Sequence, residues 1–192
     1  MKQSKIAVTG GLGSGKSAVC QILKDLGYPV FSCDEINREL WGEEEYLGIL
    51  AKTFPDCLTD GKPDKRKLAA KVFSDEAALK RLDDLAHPRI MQRLITEMEQ
   101  FPVSFGEVPL LFEKEYAPLF DGVIAVRRDK EARIRAVTLR DHSTRTQALS
   151  RMEKQFDPDK LETTGCLIIE NNGSCEELRA ATIEALKTLQ LS

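Results

Sequence analysis

Lys5-Ile6-Ala7-Val8-Thr9-Gly10-Gly11-Leu12-Gly13-Ser14-Gly15-Lys16-Ser17 is the stretch from which the rest of the chain is read. A short apolar run closes on paired glycines, and Ser17 to Leu26 then carries Val19, Ile22, Leu23 and Leu26 at helical spacing up to Gly27. Strand, glycine loop and helix in that order satisfy G-x-x-x-x-G-K-[ST]. Such a loop turns backbone N–H groups inward around a phosphate, and the helix N-terminus adds positive partial charge. Gly11, Gly13, Ser14, Gly15 and Ala18 are the candidate cradling positions, Lys16 reaches for the β- and γ-phosphates, and the Ser17 hydroxyl is the candidate Mg²⁺ ligand. The competing reading is an incidental glycine-rich turn, which the flanking strand and helix pattern counts against.

The surroundings agree with a single globular domain. The chain has 192 residues, 42% hydrophobic and 31% charged, which excludes disorder, collagen-like and coiled-coil composition. No apolar run approaches the length of a membrane helix, and Met1 to Lys5 lacks an apolar signal segment, so a cytoplasmic protein is expected. A formal charge of -3 gives no support to a nucleic-acid partner. The five cysteines form no CxxC pair, which points to reduced thiols and not to a zinc site.

Outward from the loop, Pro29 to Ser32 makes a second short strand that stops at Asp34, and residues 34–100 carry mostly helical pattern, read as an insertion. Val103 to Phe112, Gly122 to Val126 and Cys166 to Ile169 read as further buried strands, and Ser174 to Leu189 as a closing helix capped by Ser174. Strands alternating with helices predict an α/β fold, a doubly wound parallel sheet of about five strands. His87-Pro88 is read as a break in the helical stretch.

On the acceptor side, Asp34 lies just past a strand's C-terminal end, where open α/β sheets put their ligands, and can take a hydroxyl proton during attack on a γ-phosphate. Capping the helix that begins at Glu35 is its alternative role. Arg38 follows one turn later, to hold a phosphate or to pair with the carboxylate. Glu107 stands at the end of the strand begun at Val103, as an acidic partner for metal-bound water or as an exposed glutamate.

Gly10 to Ser17, Cys33 to Arg38, His87-Pro88-Arg89-Ile90, Val108-Pro109-Leu110-Leu111-Phe112-Glu113, Arg140-Asp141 and Glu170-Asn171-Asn172-Gly173 together resemble, in order, the motifs of the dephospho-coenzyme A kinases. The resemblance spans nearly the whole chain. It implies a P-loop kinase fold with ATP and Mg²⁺, and transfer of the γ-phosphate to the ribose 3′-hydroxyl of dephospho-coenzyme A. On it Asp34 is the base, and Arg38, His87, Pro109 and Leu110 lie on the substrate side. The first acidic position of the family's D-x-D element is Ser32 here. A kinase of the same fold for a nucleoside, nucleotide or other small hydroxyl acceptor is the alternative reading, and a non-enzymatic nucleotide switch, which would carry NKxD, a more distant one.

Residues 127–155 hold Arg127, Arg128, Arg133, Arg135, Arg140, Arg145 and Arg151. One reading is a lid that closes over ATP, with Arg140 as phosphate contact; the other is a solvated helix pair with Asp129, Glu131 and Asp141 as partners. Asn172, in the loop after the last strand, is a candidate nucleotide contact or a plain turn residue. A small-molecule enzyme of this kind is expected as a monomer or weak homo-oligomer. Residues 40–100 offer Trp41, Tyr46, Phe54 and Phe73 as groove or core aromatics.

Overall fold

A computed structural model of the chain describes residues 3–191; Met1 and Lys2, part of the stretch read for a signal segment, lie outside it. The chain begins with β1 (Ser4–Thr9), whose last four residues are all buried, followed by the glycine loop and α1 (Lys16–Asp25). Then come β2 (Val30–Ser32), α2 (Cys33–Leu40), α3 (Glu44–Thr53), the two-residue strands β3 (Leu58–Thr59) and β4 (Lys62–Pro63), α4 (Lys65–Ser74) and α5 (Glu76–Met98). β5 (Val103–Glu107), β6 (Gly122–Arg127), α6 (Lys130–Asp141), α7 (Arg145–Met152), β7 (Leu167–Glu170) and α8 (Cys175–Thr188) complete it.

The main sheet has the order β2-β5-β1-β6-β7 with every pairing parallel, the doubly wound architecture expected. β1 is central because its stretch from Ile6 to Val8 is apolar and buried, as a strand covered on both faces requires. Ile6, Val8, Phe105, Ile124, Val126 and Ile169 from the strands meet Val19 and Leu23 of α1 and Leu178, Ala185 and Leu186 of α8 in one core. Ile124 is fully buried in it. Ile124→Val removes one methylene there and is expected to cost about 1 kcal/mol, read from urea denaturation.

The described chain divides into two compact units: the N-terminal stretch through Ser32 together with the residues from Glu97 onward, and Cys33–Thr96. The first holds the parallel sheet. The second holds α2, α3, the β3–β4 hairpin, α4 and most of α5, and it buries Tyr46, Leu50, Phe54, Leu68 and Leu94. Tyr46 and Phe54 are therefore core, whereas Phe73 is 94% exposed.

Three local expectations need correction. The strand read over 103–112 ends at Glu107, and the residues after it turn, because Pro109 has no N–H to extend a ladder. Pro88 does not break the helix: α5 runs through it unbroken, held by buried Ala86, Ile90, Met91 and Leu94. Asp34 does not cap a helix at Glu35, since α2 already begins at Cys33. Ser174 does cap α8, in a capping box with Glu177.

Candidate active site

The sheet order reverses about β1, and the loop after β1 therefore opens at the switch point, where open α/β sheets bind ligands. Its backbone needs glycine at two positions in particular. Gly13 has φ +77°, and a Cβ there would lie 2.7 Å from the Arg133 carbonyl oxygen. Gly15 has φ +98°, and a Cβ there would lie 2.1 Å from Nδ2 of Asn171, the atom that donates to the Ser14 carbonyl at 2.8 Å. The sheet-end loop thus fastens the glycine loop from the side. α1, preceded by Gly15, has no side-chain cap and no acidic residue in its first turn, which leaves its positive end to an anion. Lys16 donates through Nζ to the Gly10 carbonyl at 2.7 Å, folded back along the loop it serves. The Ser14 hydroxyl is buried with no hydrogen-bond partner among the described residues. Ala18 donates its N–H to the Gly15 carbonyl, within the first turn.

The Ser17 hydroxyl donates to Oε1 of Glu107 at 3.0 Å across 90 residues of sequence. Glu107 ends β5, in register with Val8 on one side and Ser32 on the other. A hydroxyl and a carboxylate, both hard oxygen donors, suit Mg²⁺, which keeps several waters and takes one or two carboxylates plus substrate phosphates. Where the acidic position of the D-x-D element is Ser32, the neighbouring strand carries a carboxylate at the same register.

The arginine-rich segment resolves into distinct roles. Arg127 lies against Glu170 and Glu162, and the hydrogen bond it donates to Glu170 above all raises its proton affinity. Arg145 forks onto Glu131. Arg140 forks onto Asp141, which Arg151 also holds, and these two guanidinium groups push the Asp141 carboxyl far below the ordinary carboxylate range. Arg140 sits in this surface cluster with its side chain 61% exposed, and the arginine at the glycine loop is Arg133. Arg133 is 6% exposed, donates from Nε to the Leu12 carbonyl at 3.0 Å, and has no carboxylate partner among the described residues. Sequence spacing places Arg133 and Arg140 on one helical face; what separates them is tertiary, since Arg133 reaches the Leu12 carbonyl while Arg140 joins the Asp141–Arg151 cluster. A cavity of about 810 Å³ opens beside it, lined by Arg128, Lys130, Arg133, Met152, Phe156 and Asn172 among others. Asn172 accepts through Oδ1 from the Asp129 N–H at 2.9 Å, which sets its side chain at the cavity edge.

The remaining candidates are placed as follows. Asp34 is exposed in the first turn of α2. Arg38 donates from Nε to the Asp34 backbone carbonyl at 3.3 Å and pairs loosely with Glu35 at 3.9 Å, so its partner is not the Asp34 carboxylate. His87, half-buried in α5, lies 3.7 Å from Asp83. Pro109 and Leu110 are half-buried in the turns after β5, and Glu113 accepts the Phe156 N–H at 2.8 Å.

Comparison with known proteins follows the same lines. The family model for dephospho-CoA kinase matches residues 4–177. A dephospho-CoA kinase of Thermus thermophilus is 36% identical over 187 residues, covering 96% of this chain and 91% of the relative, and one of Geobacillus kaustophilus is 34% identical with 95% and 94% covered. Among solved structures, a Thermus thermophilus protein superposes with a TM-score of 0.83 at 34% identity, covering 98% of this chain and 99% of that one. A dephospho-CoA kinase from Campylobacter jejuni gives a TM-score of 0.71 at 26% identity, with 96% of each chain covered. A shikimate kinase from Bacteroides thetaiotaomicron, at 15% identity and a TM-score of 0.56, shares the fold. With the phosphate loop, the Ser17–Glu107 pair and these matches across nearly its whole length, the chain belongs to the dephospho-CoA kinase family.

Proposed function

We propose that the chain transfers the γ-phosphate of ATP to the ribose 3′-hydroxyl of dephospho-coenzyme A, giving coenzyme A and ADP, by positioning and electrostatics without a covalent intermediate. The observation that carries the reading is the convergence of the uncapped N-terminus of α1, Lys16 and the Ser17–Glu107 pair on one end of β1. The loop from Gly11 to Ser17 and the N–H groups at the start of α1 bind the β- and γ-phosphates. Lys16 swings from the Gly10 carbonyl to the bridging region between them. Ser17 and Glu107 would hold Mg²⁺, which when bound neutralises charge on the phosphate oxygens. Asp34 accepts the proton of the 3′-hydroxyl as its oxygen attacks, and Arg38, His87, Pro109 and Leu110 shape the acceptor's surroundings. Asn172 borders the cavity proposed for the nucleoside. Residues 127–155 act as the lid and 34–100 as the acceptor-binding insertion. Within the lid, the exchange of Asp141 for a phosphate frees Arg140 to contact the transferring group. The same reading has the enzyme work in the cytoplasm, as a monomer or weak homo-oligomer, with no nucleic-acid partner.

The test is a coupled ADP-release assay with ATP, Mg²⁺ and dephospho-coenzyme A beside adenosine, AMP and pantothenate. Turnover confined to dephospho-coenzyme A is expected; equal turnover with another acceptor would overturn the substrate assignment. Glu107→Gln keeps the hydrogen bond from Ser17 and removes the charge, so the Mg²⁺ concentration for half-maximal rate should rise about tenfold or more, read from a metal titration.

A further inference from the structure

Leu12, at the apex of the phosphate loop, is half-buried and is held at both its N–H and its carbonyl as well as through its side chain. Its N–H donates to Oε1 of Gln155 at 2.6 Å, and its carbonyl accepts from Nε of Arg133 at 3.0 Å. Its side chain packs on Ile134, Val137 and Ala148, a small apolar cluster that α6 and α7 build for themselves and that Leu149 and Met152 border. The two polar partners are themselves fixed. Gln155 follows α7 directly before Phe156, whose N–H is taken by Glu113 and whose ring lies 4.7 Å from that of Phe112. The Arg133 side chain is buried without a carboxylate partner among the described residues, and its Nη2 fills the space that a side chain at Gly11 would occupy, 2.3 Å from such a Cβ. Burial pushes its guanidinium down from the ordinary value. A buried charge with no counter-ion is costly, and neither a solvated helix pair nor the packing of α6 calls for one here.

We propose that Arg133 and Gln155 are positioning residues for phosphoryl transfer, gripping Leu12 through the two peptide groups that flank it and so tying the shape of the phosphate loop to the α6–α7 hairpin. The inference rests on reading residues 10–17 as the phosphate cradle. In a reaction that depends on donors held where charge develops, a loop loosened at its apex loses rate through misplaced N–H groups and a misplaced Lys16. Both grips act on the two peptide groups of one residue, so either loss frees that residue and the second loss adds little.

The test is a double-mutant cycle on the full chain with Arg133→Met, Gln155→Leu and the pair, read on kcat and, independently, on the affinity for ADP. Each single variant should lose about tenfold or more in kcat, with the KM for dephospho-coenzyme A unchanged, and the double variant should be little worse than the poorer single one. Multiplicative losses would overturn the proposal, because two residues acting separately give them. Gln155 lies at the half-buried end of the hairpin, so if Arg133→Met does not fold, the Gln155→Leu variant decides alone: wild-type kcat and ADP affinity in it would overturn the grip. No turnover by the unaltered chain with dephospho-coenzyme A would count against the functional reading only, and the cycle on ADP affinity would still decide this one.

Discussion

Asp34→Asn is expected to lower kcat by about a thousandfold while leaving the affinity for ATP within a factor of about two, the loss typical of removing a positioned general base. The two side chains have nearly the same shape, and both can accept a hydrogen bond from a hydroxyl; only the carboxylate can keep the proton that the attacking oxygen gives up. The residue is exposed in the first turn of α2. Its charge is not spent on Arg38, which bonds the backbone carbonyl of Asp34 and the carboxylate of Glu35. The substitution should therefore cost stability no more than a surface exchange does, within about 0.5 kcal/mol. ADP release under saturating substrates measures the first effect and calorimetric titration with ATP the second. A variant that keeps more than about a tenth of the wild-type rate would remove Asp34 from the role of base.

What the sequence made readable was local. Strand, glycine loop and helix follow one another within 22 residues, Ser4 to Asp25, and each carries its own signal, so the phosphate loop needed no tertiary information. The alternation of such units was enough for the doubly wound sheet. Ser17 and Glu107 were each visible as a candidate, but their meeting depends on β1 and β5 being adjacent in the sheet, a pairing no local pattern encodes. Arg133 shows the limit most clearly. It shares a helix and a face with Arg140, and motif resemblance favoured Arg140; what distinguishes Arg133 is Leu12, 121 residues away, whose carbonyl it binds. Pro88 failed in the other direction, because a local rule was overruled by the burial of Ile90, Met91 and Leu94 along the same helix.

Lys16→Met should have a second effect of similar size, about a hundred- to a thousandfold in kcat, and for a different reason. Methionine keeps much of the stem and loses the ammonium group. That group has no catalytic proton to manage; its work is charge placed where the γ-phosphate oxygens gain negative density, so its loss is felt in the transition state more than in the bound ground state. The Gly10 carbonyl that Lys16 occupies at 2.7 Å is a neutral partner, which a phosphate replaces at a net gain in electrostatic energy. The loop itself should keep its shape in the variant, since Asn171 holds Ser14 from one side and Arg133 and Gln155 hold Leu12 from the other. Lys16→Met is therefore expected to bind ADP with a loss of no more than about tenfold and to turn over at a rate that raising ATP does not restore. Full recovery of rate at high ATP would mean that the lysine only binds the nucleotide, and that the rate acceleration must be sought in the remaining cations of the site.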